Sequence, residues 1–266
     1  MTAEPLAPCP VPGRPVPAGL VPSRRASALT AALDVALAEA EEGWSFPGAR
    51  RWWVTTKDDG IELHTQWAPH VSTPVLRSTR VAAGTALLAV RLAVAVSGTR
   101  PVTTLLPGGR ARGLLAIVRC GTVAGPTRAE RVLFDSLARA RRPDREISVA
   151  LAMPLLRSAA EAEGAWLRTV GDPAECERLR ALLPDDRAGN APPGALLAVL
   201  GSHGELPAGD LRAGQGLQRV RCAARALGLV VTVLAGPAGL VPARRAGVVP
   251  GLVPQVLVQV TSSDEQ

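Results

Sequence analysis

The chain is poor in several residue types, and each shortage removes a class of function. Lys57 is its single lysine, tyrosine is absent, and aromatic side chains make up only 3% of 266 residues. The formal charge of +7 is therefore carried by arginine, in a chain also rich in Ala, Gly, Pro and Val. That pattern reads as the codon bias of a GC-rich genome, not as selection for a basic surface. There is no basic run interleaved with aromatics, no finger spacing and no helix-turn-helix signature, so nucleic acid is not the expected partner. The four cysteines, Cys9, Cys120, Cys176 and Cys222, are far apart and form no C-x-x-C pair. This argues against a disulfide framework and a zinc site, and two or three buried thiols in a reducing compartment are expected. His64, His70 and His203 are isolated, so metal-ligand spacing is missing and no metal is expected. No charged-then-apolar leader opens the chain. Its most apolar stretch, Val81 to Ser97, is interrupted by Arg91 and falls short of the ~20 residues that span a bilayer. A cytoplasmic protein with no membrane partner is the expectation.

What is present is enough for a large core, since 47% of the residues are hydrophobic. Residues 1–25 hold seven prolines between Pro5 and Pro22 and read as an extended tail, because proline removes ladder donors and stops helices. Leu29, Leu33 and Leu37 recur every fourth residue and predict a helix over 26–42. Two strands, 51–54 and 61–65, flank the turn Lys57-Asp58-Asp59-Gly60. Residues 85–97 are apolar nearly all round, as in a helix enclosed on every side. Strands at 102–106 and 114–118, helices at 127–139 and 154–163, a strand at 166–170 and a helix at 173–183 opened by Asp172 follow. Pro184 to Gly194 reads as a loop. A second long helix at 211–227 and strands at 229–234 and 255–260 complete the pattern. Asp58-Asp59 and Asp185-Asp186 fall in turns, where solvated carboxylates are ordinary.

The chain also echoes itself. With Gly84 set over Gly214, Leu87 falls on Leu217, Val90 on Val220, Arg91 on Arg221, Ala93 on Ala223 and Gly98 on Gly228. Ala38-Glu39-Ala40-Glu41 likewise echoes Ala160-Glu161-Ala162-Glu163. Repeated helix–strand units this far apart suggest two related halves, about 26–126 and 127–266, packed about a pseudo-twofold axis like a dimer joined into one chain. A shorter echo, residues 17–25 against 237–245, differs only at Ser23 versus Ala243 and is out of register with the first.

In the second half, Arg212-Ala213-Gly214-Gln215-Gly216-Leu217-Gln218-Arg219-Val220 followed by Gly228-Leu229 resembles the "aGqAlqrvlL…Gl" helix of flavin-dependent nitroreductases. Pro254-Gln255-Val256-Leu257-Val258 resembles that family's closing "Pqmll" strand. Arg141-Arg142-Pro143-Asp144-Arg145 with residues 160–165 (AEAEGA) is similar to the "RRTNR…aaxxeGa" pattern of the fused, two-half Acg branch of actinobacteria. Ala83-Gly84-Thr85-Ala86-Leu87 and Leu105-Leu106-Pro107 are similar to "cGaAl…llP".

The resemblance implies an α+β fold, a central, mainly antiparallel sheet sandwiched by helices, with FMN between two pseudo-symmetric halves. It implies hydride transfer from NAD(P)H to nitroaromatic or quinone-type acceptors. The flavin carries the chemistry, so no catalytic side chain is required. Arg141, Arg142 and Arg145 would stand at the phosphate, where a planar fork donates in pairs; the same loop also reads as a solvated basic connection. Gly214 and Gln215 would lie by the cofactor, Gly214 allowing close approach to a ring or simply starting a helix.

Departures from the family point to a degenerate member. Residues 41–53 (EEGWSFPGARRWW) lack the His, Asn and Gln of the branch's "APSxHNxQPW" segment, and the closing "RvG…RRP" is absent. Arg244 and Arg245 are available to replace the lost phosphate contact. Trp52 and Trp53 either stack on a ring or fill the core. With these losses, FMN binding itself is in question, and a flavin-sequestering or regulatory protein of stress or dormancy is the alternative to an enzyme.

Overall fold

The computed structural model describes residues 24–42, 49, 51–57, 60–66, 72–108, 113–138, 147–183, 194–245 and 252–262. The proline-rich stretch 1–23, the Asp58-Asp59 turn, His70, the 141–145 segment and the 184–193 loop lie outside them. The chain runs α1 (Arg24–Glu42), β1 (Trp52–Lys57), β2 (Gly60–Thr65), α2 (Thr73–Val96), β3 (Thr99–Leu105) and β4 (Leu114–Val123). Then come α3 (Arg128–Ala138), α4 (Val149–Glu161), β5 (Ala165–Thr169), α5 (Pro173–Arg180) and β6 (Leu196–Ser202). The chain ends with α6 (Pro207–Ala226), β7 (Leu229–Ala235), α7 (Val241–Arg245) and β8 (Val253–Ser262).

The fold is mixed α+β, and every strand pairing is antiparallel. One correction concerns the sheet. The expected single central sheet is replaced by two four-stranded sheets, ordered β1-β2-β4-β3 and β5-β6-β8-β7. The centre is taken by helices instead. Every residue from Val81 to Val90 of α2 is buried. A helix with no polar face must be enclosed on all sides, and α2 meets α6, α1, α3 and the first sheet. The most apolar part of α2 has a mean hydropathy of 1.6 and would meet the length and composition of a membrane span, but 83% of it is buried within the fold.

The α2–α6 crossing depends on two glycines that the echo sets over each other. A Cβ on Gly84 would run into the Leu211 carbonyl oxygen and stand 2.9 Å from the Gly214 Cα. One on Gly214 would run into the Val81 carbonyl oxygen and stand 2.8 Å from the Gly84 Cα. Each helix thus meets the other at the same place in its own sequence, three residues before its glycine. Around this contact the main core gathers Leu87 and Leu88 of α2, Leu156 of α4 and Leu217 of α6 with Ala116 and Val118 of the first sheet and Leu200 and Val258 of the second. A second, smaller core lies on the other face of the β5–β8 sheet, where Trp166, Leu179, Val199, Leu240, Ala243 and Leu257 meet under α5 and α7.

Local signals explain most boundaries. Thr127 and Glu130 cap α3 reciprocally: the Thr127 amide donates to Glu130 Oε2 (2.6 Å) and the Glu130 amide to Thr127 Oγ1 (3.2 Å). Asp172 Oδ1 accepts from the Ala174 amide (3.1 Å) and opens α5. Gly98 and Gly228, at φ of +93° and +74°, end α2 and α6 in the left-handed region. Three expectations shift. α2 begins at Thr73, not 85, because Pro74 occupies its first turn. α4 begins at Val149, capped by Ser148 Oγ, and carries Pro154 inside instead of starting at it. Among the described thiols only Cys222 is buried; Cys176 is half-buried and Cys120 exposed.

Candidate functional site

A cleft of about 740 Å³ opens where the two sheet-and-helix units meet. One wall comes from α2 and the edge strand β3, with Arg91, Thr103, Thr104 and Leu105. The other comes from the 162–164 turn and the start of α6, with Glu163, Gly164, Ala208, Arg212 and Gln215. Among the described residues β3 is the last strand of its sheet, so Thr103 and Leu105 stand on its edge. The Thr103 hydroxyl is buried and has no hydrogen-bond partner among the described residues.

A charged network forms the floor. Glu163 is buried, and its two oxygens take different arginines: Arg91 Nη1 donates to Oε2, while Arg219 donates to Oε1 from Nε (2.8 Å) and Nη2 (2.6 Å). Arg91 Nη1 also donates to Gln215 Oε1 at 2.6 Å. Burial of a carboxylate is tolerable only with such pairing, and here the pairing joins α2, the end of α4 and α6. Arg91 and Arg219 pair with this carboxylate, and Arg212 lines the cleft as well, so the lining carries two guanidinium groups, Arg91 and Arg212, against the one carboxylate of Glu163.

A second buried network stands near the start of α6. Asp210 has no exposed surface, accepts from Arg80 Nε (2.8 Å) and Nη2 (2.7 Å), and takes the Gln255 amide on its other oxygen (2.7 Å). Gln255 also donates to Ser202 Oγ at 3.0 Å. Burial pushes the Asp210 carboxyl above its ordinary range, against the opposing pull of Arg80. On the first sheet, Glu62 is buried between Lys57 Nζ (2.8 Å) and His64 Nε2 (2.9 Å). The Lys57 hydrogen bond, helped by His64, outweighs burial and holds its carboxyl below the usual range.

Of the residues singled out from the sequence, Gln215 lines the cleft. Gly214 does not: its open face is occupied by the α2 backbone, so the close approach it permits is between helices. Arg244 and Arg245 belong to α7, which packs through Ala243 on the face of the second sheet turned away from α6; their side chains lie outside the described residues. Arg141, Arg142 and Arg145 also lie outside them. Trp52 fills the core, whereas Trp53 is exposed and stacks on His64 with ring centroids 5.6 Å apart. Among the described residues no group of three or more His, Cys, Asp or Glu could hold a metal.

Arg91, Glu163 and Arg212 were not singled out as site residues, and two of them had a signal. Arg91 interrupts an apolar helix, where a charge must find a partner. Glu163 closes the AEAEGA motif. No protein-family model matches the chain, and a search of curated proteins finds no significant relative.

Proposed function

We propose that this is a nitroreductase-like FMN-binding protein whose cofactor site is the cleft between two pseudo-symmetric halves of one chain. The observation that carries the reading is the position of the cleft, walled by α2 and β3 on one side and by α6 and the 162–164 turn on the other. The duplication behind it is supported by the shared strand order of the two sheets and by the reciprocal Gly84–Gly214 contact.

The residues present suit the group. The cleft has room for a three-ring heteroaromatic, in the size range typical of cofactor pockets. Its excess of guanidinium favours a phosphate ester, and the unpartnered Thr103 hydroxyl and the Gln215 amide offer hydrogen bonds to a ring edge. When bound, FMN would supply hydride transfer between NAD(P)H and a nitroaromatic or quinone-type acceptor. The chain's own part is binding and orientation. Arg91 fixes the Gln215 amide by taking its oxygen, and Glu163 fixes Arg91. Arg141, Arg142 and Arg145 are the further phosphate ligands that the resemblance implies. A cytoplasmic setting belongs to the same reading.

One observation favours a second reading, a binder that sequesters flavin or regulates without turnover. Trp53, in the stretch that replaces the family's polar segment, is stacked on His64 and does not line the cleft. Titration of the purified protein with FMN, followed by NAD(P)H, tests both. Bound flavin bleached by NAD(P)H identifies the enzyme, and bound flavin that stays yellow identifies the binder. A protein that takes up no FMN overturns both.

A further inference from the structure

We propose that Arg212 selects for an anionic ligand in the seam cleft, by taking up a phosphate or carboxylate that the ligand carries. The inference rests on the reading of the cleft as a ligand site but goes beyond it, because the resemblance assigns Arg212 no part. The two arginines that line the cleft, Arg91 and Arg212, and the neighbouring Arg219 differ in what they are bound to. Arg219 gives two donors to Glu163, and Arg91 is shared between Glu163 and Gln215. Arg212 lines the same cleft, is exposed, and has no carboxylate within ion-pair distance among the described residues.

The backbone beside it lies within van der Waals reach of its stem. Gly164 sits at φ +71°, where a side chain is disfavoured, and a Cβ there would stand 3.5 Å from the Arg212 Cδ. The aliphatic part of Arg212 thus lies over bare backbone beside Glu163. On the opposite wall the buried Thr103 hydroxyl also lacks a partner among the described residues. An unpaired planar fork beside a hydroxyl with a bond to make, in a cleft of net positive charge, matches an oxyanion better than a neutral group.

The anion has two possible sources: the flavin's own phosphate, or an anionic co-ligand beside it. FMN and riboflavin are titrated by fluorescence into the full chain and into Arg212→Gln, with benzoate then titrated into the FMN-loaded proteins. Thermal melting of both proteins, with and without inorganic phosphate, checks the fold and reads anion binding without flavin. If the phosphate is the anion, the wild type prefers FMN over riboflavin by about 10- to 100-fold, the value of one charge-assisted contact. Arg212→Gln then removes the preference and leaves riboflavin binding unchanged. If a co-ligand carries the anion, FMN affinity stays and benzoate binding is lost in the variant. If neither flavin binds, the flavin reading fails, and the anion site stands only if phosphate raises the melting temperature of the wild type and not of the variant. Equal behaviour of the two proteins in all three titrations overturns the proposal.

Discussion

Replacing Gly214 with alanine sets two opposed effects against each other. Inside an ordinary helix the change gains about 1 kcal/mol, because glycine spends more backbone entropy than alanine. At this crossing the new Cβ would stand 2.8 Å from the Gly84 Cα and closer still to the Val81 carbonyl oxygen. Both obstacles are backbone, so no side chain can swing aside, and α2 and α6 must separate. Overpacking of this kind costs about 1–3 kcal/mol. Separation also loosens Leu87 and Leu217, which are fully buried beside the contact and each contribute about 1.5–3 kcal/mol through burial. The net expectation is a loss of about 2 kcal/mol after the helix-propensity gain, or roughly 4–8 °C of melting temperature for a chain of this size. Thermal melting followed by circular dichroism, with a urea titration for the free energy, measures it. Gly84→Ala should behave alike. The double variant should cost less than the sum, since one separation accommodates both methyl groups. A Gly214→Ala protein that melts at or above the wild-type temperature would refute the close crossing.

Other buried contacts make separate predictions. Arg80→Ala leaves Asp210 charged and buried, which should cost about 3–5 kcal/mol at neutral pH, with the deficit shrinking as acid neutralises the carboxyl; a pH-independent deficit in urea titrations would contradict this. Because the folded Asp210 carboxyl is raised, its contribution falls as pH rises from the ordinary carboxylate value through the raised one, and Asp210→Asn should remove that slope. Glu62 has the opposite sign: held low chiefly by Lys57, it adds stability above the unfolded value, about 4.3, which is lost as pH falls through the folded one. Glu62→Gln should flatten the acid limb of stability against pH, and an unchanged limb would count against the cluster. Trp166→Phe loses the indole bond to the Ser202 carbonyl oxygen (3.0 Å), worth about 1 kcal/mol; an unchanged urea midpoint would mean that water replaces it.

What the sequence could reveal followed from how far each signal is local. Helix α1, the β1–β2 hairpin and the cap at Asp172 were legible because side chains and backbone a few residues apart decide them. The first turns of α2 were not, since Arg77, Ser78, Thr79 and Arg80 read as a polar surface yet are buried or half-buried. Their partners, Glu205 for Arg77 and Asp210 for Arg80, stand more than a hundred residues on. Strand β6 escaped because Leu196 to Leu200 is a short apolar run without alternation, which periodicity alone cannot tell from a buried helix segment. Gly214 announced a close approach but not what approaches. Gln215 was legible as part of a motif, whereas Arg212 depends on Gly164 and on the absence of a carboxylate, which only the assembled cleft displays.

The central claim, that the seam cleft holds a flavin, is met most directly by blocking it. Ala208 is half-buried on the cleft wall in the first turn of α6, where a larger side chain would project into the cleft with little disturbance to the core. Equilibrium dialysis of FMN against the full chain and against Ala208→Trp, with melting curves on both, gives the answer. The account predicts saturable FMN uptake by the wild type and at least a tenfold loss in the variant at an unchanged melting temperature. FMN bound equally by both proteins, or by neither, would contradict it.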